Sequence, residues 1–167
     1  SQVHADLRKE GIKHCESYKL GMVLELPSAV MELEDLIKKV DFMSIGSNDL
    51  LQYSFALDRC NKQAADYYTY MSPQFLKILG HICETFRKHP EKELAICGEM
   101  SSNPLCAPLL VGAGIRDLSI PPVKISPVKR IIRAFSVPEC VATFEEAVKE
   151  SDSKSVYMLI LNKLIEK

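Results

Sequence analysis

The stretch Leu20-Gly21-Met22-Val23-Leu24-Glu25-Leu26-Pro27 decides the reading of the fold. It is a short apolar run, closed by a proline, with one charge near its end. A run of this length without strict alternation is the pattern of a strand in a parallel sheet, expected to be covered on both faces. Beyond it, Val30, Met31, Leu33, Leu36, Ile37 and Val40 recur at the spacing of one helical face. Ser28 is placed to cap that helix, and Glu32, Glu34 and Asp35 precede Lys38 and Lys39, the charge order a helix dipole favours. A second run, Phe42-Met43-Ser44-Ile45, then leads into Gly46-Ser47-Asn48-Asp49.

The same alternation continues. Leu50 to Met71 has mixed polarity and predicts no single element. Ser72 and Pro73 open a helix whose apolar stripe is Phe75, Leu76, Leu79, Ile82, Cys83 and Phe86, with Pro90 barring its continuation. Leu94-Ala95-Ile96-Cys97 reads as a third strand, and Asn103-Pro104 opens a helix ending near Gly112 and Gly114. Leu118-Ser119-Ile120 is a fourth strand, cut off by Pro121-Pro122. Ser126-Pro127 starts a helix through Phe135, and the tail is amphipathic helix. Four strands alternating with helices make an α/β chain. Gly112-Ala113-Gly114 follows a helix rather than a strand, so it is no dinucleotide loop.

With 167 residues the chain has room for one domain of about 150 residues, or part of one. Lys plus Arg is 21 against 22 for Asp plus Glu, a net charge of -1, which leaves no basic footprint for nucleic acid. Hydrophobic residues are 47% and charged residues 26%, ordinary globular composition, with no apolar run long enough to span a membrane. The first ten residues lack the apolar stretch of a secretory signal. Six cysteines, none in a C-x-x-C pair, read as reduced thiols of a cytoplasmic protein.

Three predicted strands end in chemically loaded residues: Glu25, Asn48-Asp49, and Cys97-Gly98-Glu99. In parallel α/β folds, ligands bind where the strand ends and the loops after them converge. Two carboxylates there suit a hard divalent cation such as magnesium, which keeps some waters and takes other ligands from substrate. The alternatives are that Glu25 caps a neighbouring helix and that Asp49 caps the segment after it. A thiol at such an end is a nucleophile, a proton donor or packing filler.

The blocks Gly21–Pro27, Val40–Leu50, Gln52-Tyr53, Asp58-Arg59 and Cys97-Gly98-Glu99-Met100 together resemble the phosphoenolpyruvate-utilising enzymes. Within them the chain is most similar to the Enzyme I type of the phosphotransferase system, the phosphoenolpyruvate-protein phosphotransferases. The stretch Leu94–Cys106 is similar to the nitrogen-related branch. The resemblance implies that Glu25 and Asp49 are magnesium ligands, that Asn48 and Asp49 contact phosphoenolpyruvate, and that Arg59 binds phosphate. It implies that Cys97 is the catalytic acid protonating the methylene carbon. Three positions depart from the family: Ser47 and Leu51 stand where threonine is usual, and Ser101 where alanine is.

The family's domain is a (β/α)8 barrel of about 250 residues, and rarely below about 200. Residues 1–167 are therefore expected to be a single partial domain, the C-terminal half of that barrel. The resemblance places two further substrate arginines in the first half of the barrel, and the phosphate-accepting histidine in a separate domain. That missing domain would meet a phosphocarrier protein serving sugar transport. His4, His14, His81 and His89 fall outside the site motifs and read as surface or packing residues. A half-barrel has open sheet edges, so the chain is expected to form a homodimer, swap elements or rearrange, and to bind phosphoenolpyruvate weakly alone. The rival readings are a fragment of pyruvate phosphate dikinase or phosphoenolpyruvate synthase, which would need a nucleotide, and a noncatalytic oligomerisation or regulatory module.

Overall fold

The structure, a computed structural model, describes residues 2–57 and 69–167. Asp58, Arg59 and Cys60 lie outside the described residues. Four strands, β1 (Gly21–Leu24), β2 (Phe42–Gly46), β3 (Glu93–Cys97) and β4 (Asp117–Leu118), form one sheet in the order β1-β2-β3-β4. All neighbours are parallel, with Leu24 opposite Ile45, Gly46 opposite Cys97 and Ile96 opposite Leu118. Spatial order follows chain order without reversal. A doubly wound sheet reverses at its middle, whereas a barrel does not, so this is the α/β architecture of part of a (β/α)8 barrel.

The helices are α1 (Gln2–Lys9), α2 (Pro27–Met31), α3 (Leu33–Leu36), α4 (Ser47–Phe55), α5 (Pro73–Arg87), α6 (Glu99–Ser102), α7 (Ala107–Ala113), α8 (Pro122–Ala134), α9 (Val137–Ala147) and α10 (Ser153–Ile165). Leu24, Met43, Ile45 and Ile96 point from one sheet face into a core completed by Phe75, Leu76, Leu79 and Ile82 of α5. Each such fully buried side chain contributes roughly 1.5–3 kcal/mol. α7 meets α9 at Gly112, where a Cβ would stand 2.1 Å from the Cys140 carbonyl oxygen. Gly114, at φ 117, terminates α7 in the left-handed conformation that glycine tolerates.

The two sheet faces differ. Covering on both faces is not what the described residues show, because the face opposite the helices leaves Val23 50% and Phe42 37% exposed. Small residues, Gly21, Ser44, Gly46 and Ala95, share that face. It is the inward face of a barrel, and four strands cannot enclose it.

Helix boundaries differ from the periodicity in two places. The segment from Ser28 to Val40 is not one helix: Glu32 leaves helical geometry at φ -96, ψ 12, separating α2 from α3 and a 3-10 turn at Ile37–Lys39. Ser28 does not cap it, because Pro27 takes the first helical position and Leu26 becomes the N-cap. Likewise α8 begins at Pro122 rather than Ser126, so Pro127 falls inside it. Pro127 has no N–H for the Val123 carbonyl, a loss tolerated here because this turn faces water, with Val123 78% exposed.

Candidate active site

The sheet register brings the chemically loaded residues to one rim. Glu25 follows Leu24, the partner of Ile45, and Gly46 is paired with Cys97, so Glu25, Gly46 and Cys97 stand at the same level. Gly46 is glycine because Glu25 lies over it: a Cβ at 46 would be 2.9 Å from Glu25 Oε2 and 3.0 Å from Glu25 Cβ. This is close approach rather than backbone strain, as φ at Gly46 is -80.

α4 starts immediately after β2, so Ser47, Asn48 and Asp49 occupy its first turn, where amide N–H groups and the positive end of the helix dipole meet the rim. Asp49 is thus an acid inside the first turn and not the cap of a segment beginning at Leu50. Ser47 is fully buried and its hydroxyl donates to the Cys97 carbonyl at 2.7 Å. Across the gap, Gly98 has φ 96, and a Cβ there would meet Ser47 Oγ at 2.4 Å and Asn48 Oδ1 at 2.7 Å. Both the conformation and the crowding require glycine.

Asn48 is anchored at the rim. Its Oδ1 accepts from the Tyr70 hydroxyl at 2.8 Å and from the Glu99 backbone N–H at 2.9 Å. These two bonds fix the orientation of the amide at the rim. Cys97 is half-buried, with Sγ 3.5 Å from the Ile45 carbonyl, a contact in which only a protonated thiol donates. A cleft of about 840 Å³ opens between the ends of β2, β3 and β4, lined by Asn48, Tyr70, Cys97, Glu99, Ser102 and Lys124.

Glu25 and Asp49 are partly buried at this rim but do not line that cleft, and among the described residues neither side chain has a hydrogen bond or ion pair. Two hard oxygen donors, one of them cradled over a glycine that any Cβ would fill, fit a cation that completes its shell with water and substrate. Arg59 lies outside the described residues.

Several contributors were not apparent from the sequence. Tyr70 lies in the stretch of mixed polarity, and Lys124 beyond a double proline, and neither carries a local signal. Ser101, a departure from the family's alanine, is fully buried with its hydroxyl 2.7 Å from the Gly98 carbonyl and 2.8 Å from that of Ser119. It ties the Gly98 turn to the exit of β4. Leu51, where the family's threonine would carry a hydroxyl, is fully buried among apolar side chains.

The family model described as PEP-utilising enzyme, PEP-binding domain, matches residues 1–137. A phosphoenolpyruvate-protein phosphotransferase of Mycoplasma genitalium is 36% identical over 147 residues, 88% of this chain and 26% of that protein. Its counterpart in Mycoplasma pneumoniae is 35% identical over 160 residues, 96% of this chain and 27% of that protein. Multiphosphoryl transfer protein 1 of Escherichia coli K12 is 32% identical over 155 residues, 93% of this chain and 18% of that protein. The chain spans about a quarter of the length of the two mycoplasma relatives. On the match of its first 137 residues to the PEP-binding domain, the chain belongs to the PEP-utilising enzymes.

Proposed function

We propose that this chain carries half of a phosphoenolpyruvate site in a phosphoenolpyruvate-protein phosphotransferase, with phosphoenolpyruvate as donor and an enzyme histidine outside residues 1–167 as first acceptor. The phosphoryl group would pass from that histidine to a phosphocarrier protein. Glu25 and Asp49 would hold Mg2+, which supplies charge neutralisation for the phosphoryl oxygens and the developing enolate. Asn48, oriented by Tyr70 and by the Glu99 amide, would contact phosphoenolpyruvate together with Asp49. Arg59 would pair with the phosphate.

The chemistry asks two things of the chain. When the bond between phosphorus and the enol oxygen breaks, the electron pair stays on that oxygen, and the histidine nitrogen forms the new bond to phosphorus. The enolate then takes a proton at its methylene carbon from Cys97 Sγ–H, giving pyruvate and a thiolate that regains its proton from water. What supports the reading is the meeting of Cys97 and the doubly anchored Asn48 in one cleft at the carboxyl ends of the strands. The exposed inner sheet face, with Val23 and Phe42 uncovered, fits weak substrate binding by residues 1–167 alone, and a β1 edge that pairs with no further strand among the described residues fits homodimerisation.

In the complete protein, labelled phosphoenolpyruvate should phosphorylate a histidine and release pyruvate only with Mg2+ and without nucleotide. Cys97→Ala should lower the rate of pyruvate release by about 10²–10⁴ while leaving Mg2+-dependent substrate binding in place. Nucleotide dependence, or full activity in Cys97→Ala, would overturn the proposal.

A further inference from the structure

At the opposite end of the sheet, α1 and the segment entering β1 gather His4, His14 and Glu16. One ligand atom from each lies within 4.8 Å of the other two. The segment is fastened there by an ion pair from Lys19 to Glu93, at the start of β3, at 2.8 Å. This group shares no residue with the rim and does not depend on the roles of the rim residues.

His14 is the informative member. Its Nδ1 lies 2.8 Å from the Ile12 carbonyl, and a carbonyl only accepts, so Nδ1 carries the proton. In the neutral ring, Nε2 is then a lone pair. That nitrogen is buried, the side chain is only 12% exposed, and Nε2 has no hydrogen-bond partner among the described residues. A backbone carbonyl fixing one imidazole nitrogen while the other faces a cluster of donors is the usual support of a metal-bound histidine.

The surrounding geometry is compatible with an ion. Nε2 of His14 and Oε1 of Glu16 are 3.7 Å apart, close to the roughly 3.3 Å that two ligands of a tetrahedral zinc ion keep. The His4 ring is 5.2 Å from that of His14 and meets the Tyr18 ring edge-on at 5.4 Å, which orients it beside the pair. Glu16 also has an ion pair with Arg8 through its other oxygen, so Oε1 is the ligand atom. Two imidazoles and a carboxylate suit a borderline divalent ion of the zinc class, with water in the fourth position.

We propose that His4, His14 and Glu16 form a binding site for a divalent transition-metal ion of the zinc class. A role follows from packing: α1 has no buried residue, so an ion shared by His4 and the His14–Glu16 segment would fasten α1 to the entrance of the sheet.

The test is Zn2+ titration of the chelator-treated chain by calorimetry, with Co2+ as an optical probe. The expected result is one saturable Zn2+ per chain at micromolar concentration, a four-coordinate Co2+ absorption spectrum, and a Zn2+-dependent rise in unfolding temperature. His4→Ala and His14→Ala should each weaken binding roughly 10-fold or more, with unchanged far-UV circular dichroism. The pair Glu25→Gln, Asp49→Asn should leave this binding intact. Absence of saturable Zn2+ binding at millimolar concentration, or binding indifferent to both histidine variants, would overturn the proposal.

Discussion

The Ser47 hydroxyl donates to the Cys97 carbonyl at 2.7 Å, joining the first residue of α4 to the last residue of β3. The bond spans 50 residues of sequence and holds two strand ends of the candidate site at a fixed separation. Ser47→Ala would leave a part-buried carbonyl without this donor, so a loss of about 1 kcal/mol is expected in urea unfolding. Ser47→Thr keeps the hydroxyl and should lose much less.

The contact between α7 and α9 makes a second prediction. A methyl group at Gly112 would lie 2.1 Å from the Cys140 carbonyl oxygen and 2.8 Å from Phe144 Cβ, so the helices must separate. Gly112→Ala is expected to destabilise the chain by roughly 1–3 kcal/mol, despite the better helix propensity of alanine. Equilibrium unfolding against the wild-type chain measures it.

Acid should loosen the C-terminal helices through Glu139. Its carboxylate is held at a pKa of about 2, below the ordinary 4.5, first by Lys167 and then by the backbone N–H and the hydroxyl of Ser136. The folded state therefore keeps this carboxylate charged where the unfolded chain takes up a proton. The stabilisation is full above about 4.5 and is lost as pH falls through about 2. Thermal midpoints measured from pH 5 to pH 2 should fall more steeply for the wild type than for Glu139→Gln, and added salt should shrink the difference.

Thiol labelling should divide the cysteines by environment. Burial pushes Cys83 and Cys106 up to about 12 and raises Cys140, so these three should resist a maleimide in the folded state. Cys15 is exposed and Cys97 opens on the cleft, and both should be modified first. Peptide mass mapping after brief labelling distinguishes the two groups.

Much of the fold was legible because its signals are local. The first two strands fall within the predicted apolar runs, although β1 ends at Leu24, short of Pro27, and β2 extends through Gly46, and Ser72-Pro73 opens α5 where the pattern places it. The break at Glu32 was not legible, because a residue at φ -96 interrupts the helix without interrupting its apolar spacing. α8 starts at Pro122, which reads in sequence only as the end of a strand, and not at Ser126-Pro127. The uncovered sheet face depends on how many strands close around it, which no single strand encodes. At the rim, Glu25, Asp49 and Cys97 stood out as polar residues ending apolar runs. Tyr70 did not, since its bond to Asn48 crosses 22 residues of mixed polarity.

The central claim is that Glu25, Asn48, Asp49 and Cys97 surround one cation and one anion. The most direct measurement titrates Mn2+, a paramagnetic stand-in for Mg2+, into the isotopically labelled chain with phosphoenolpyruvate present, reading amide signal loss by nuclear magnetic resonance. Signals of Glu25, Asn48, Asp49 and Cys97 to Glu99 should vanish first, and the Glu25→Gln, Asp49→Asn pair should abolish that pattern. Broadening that spares these amides, or that is unchanged in the double variant, would contradict the account.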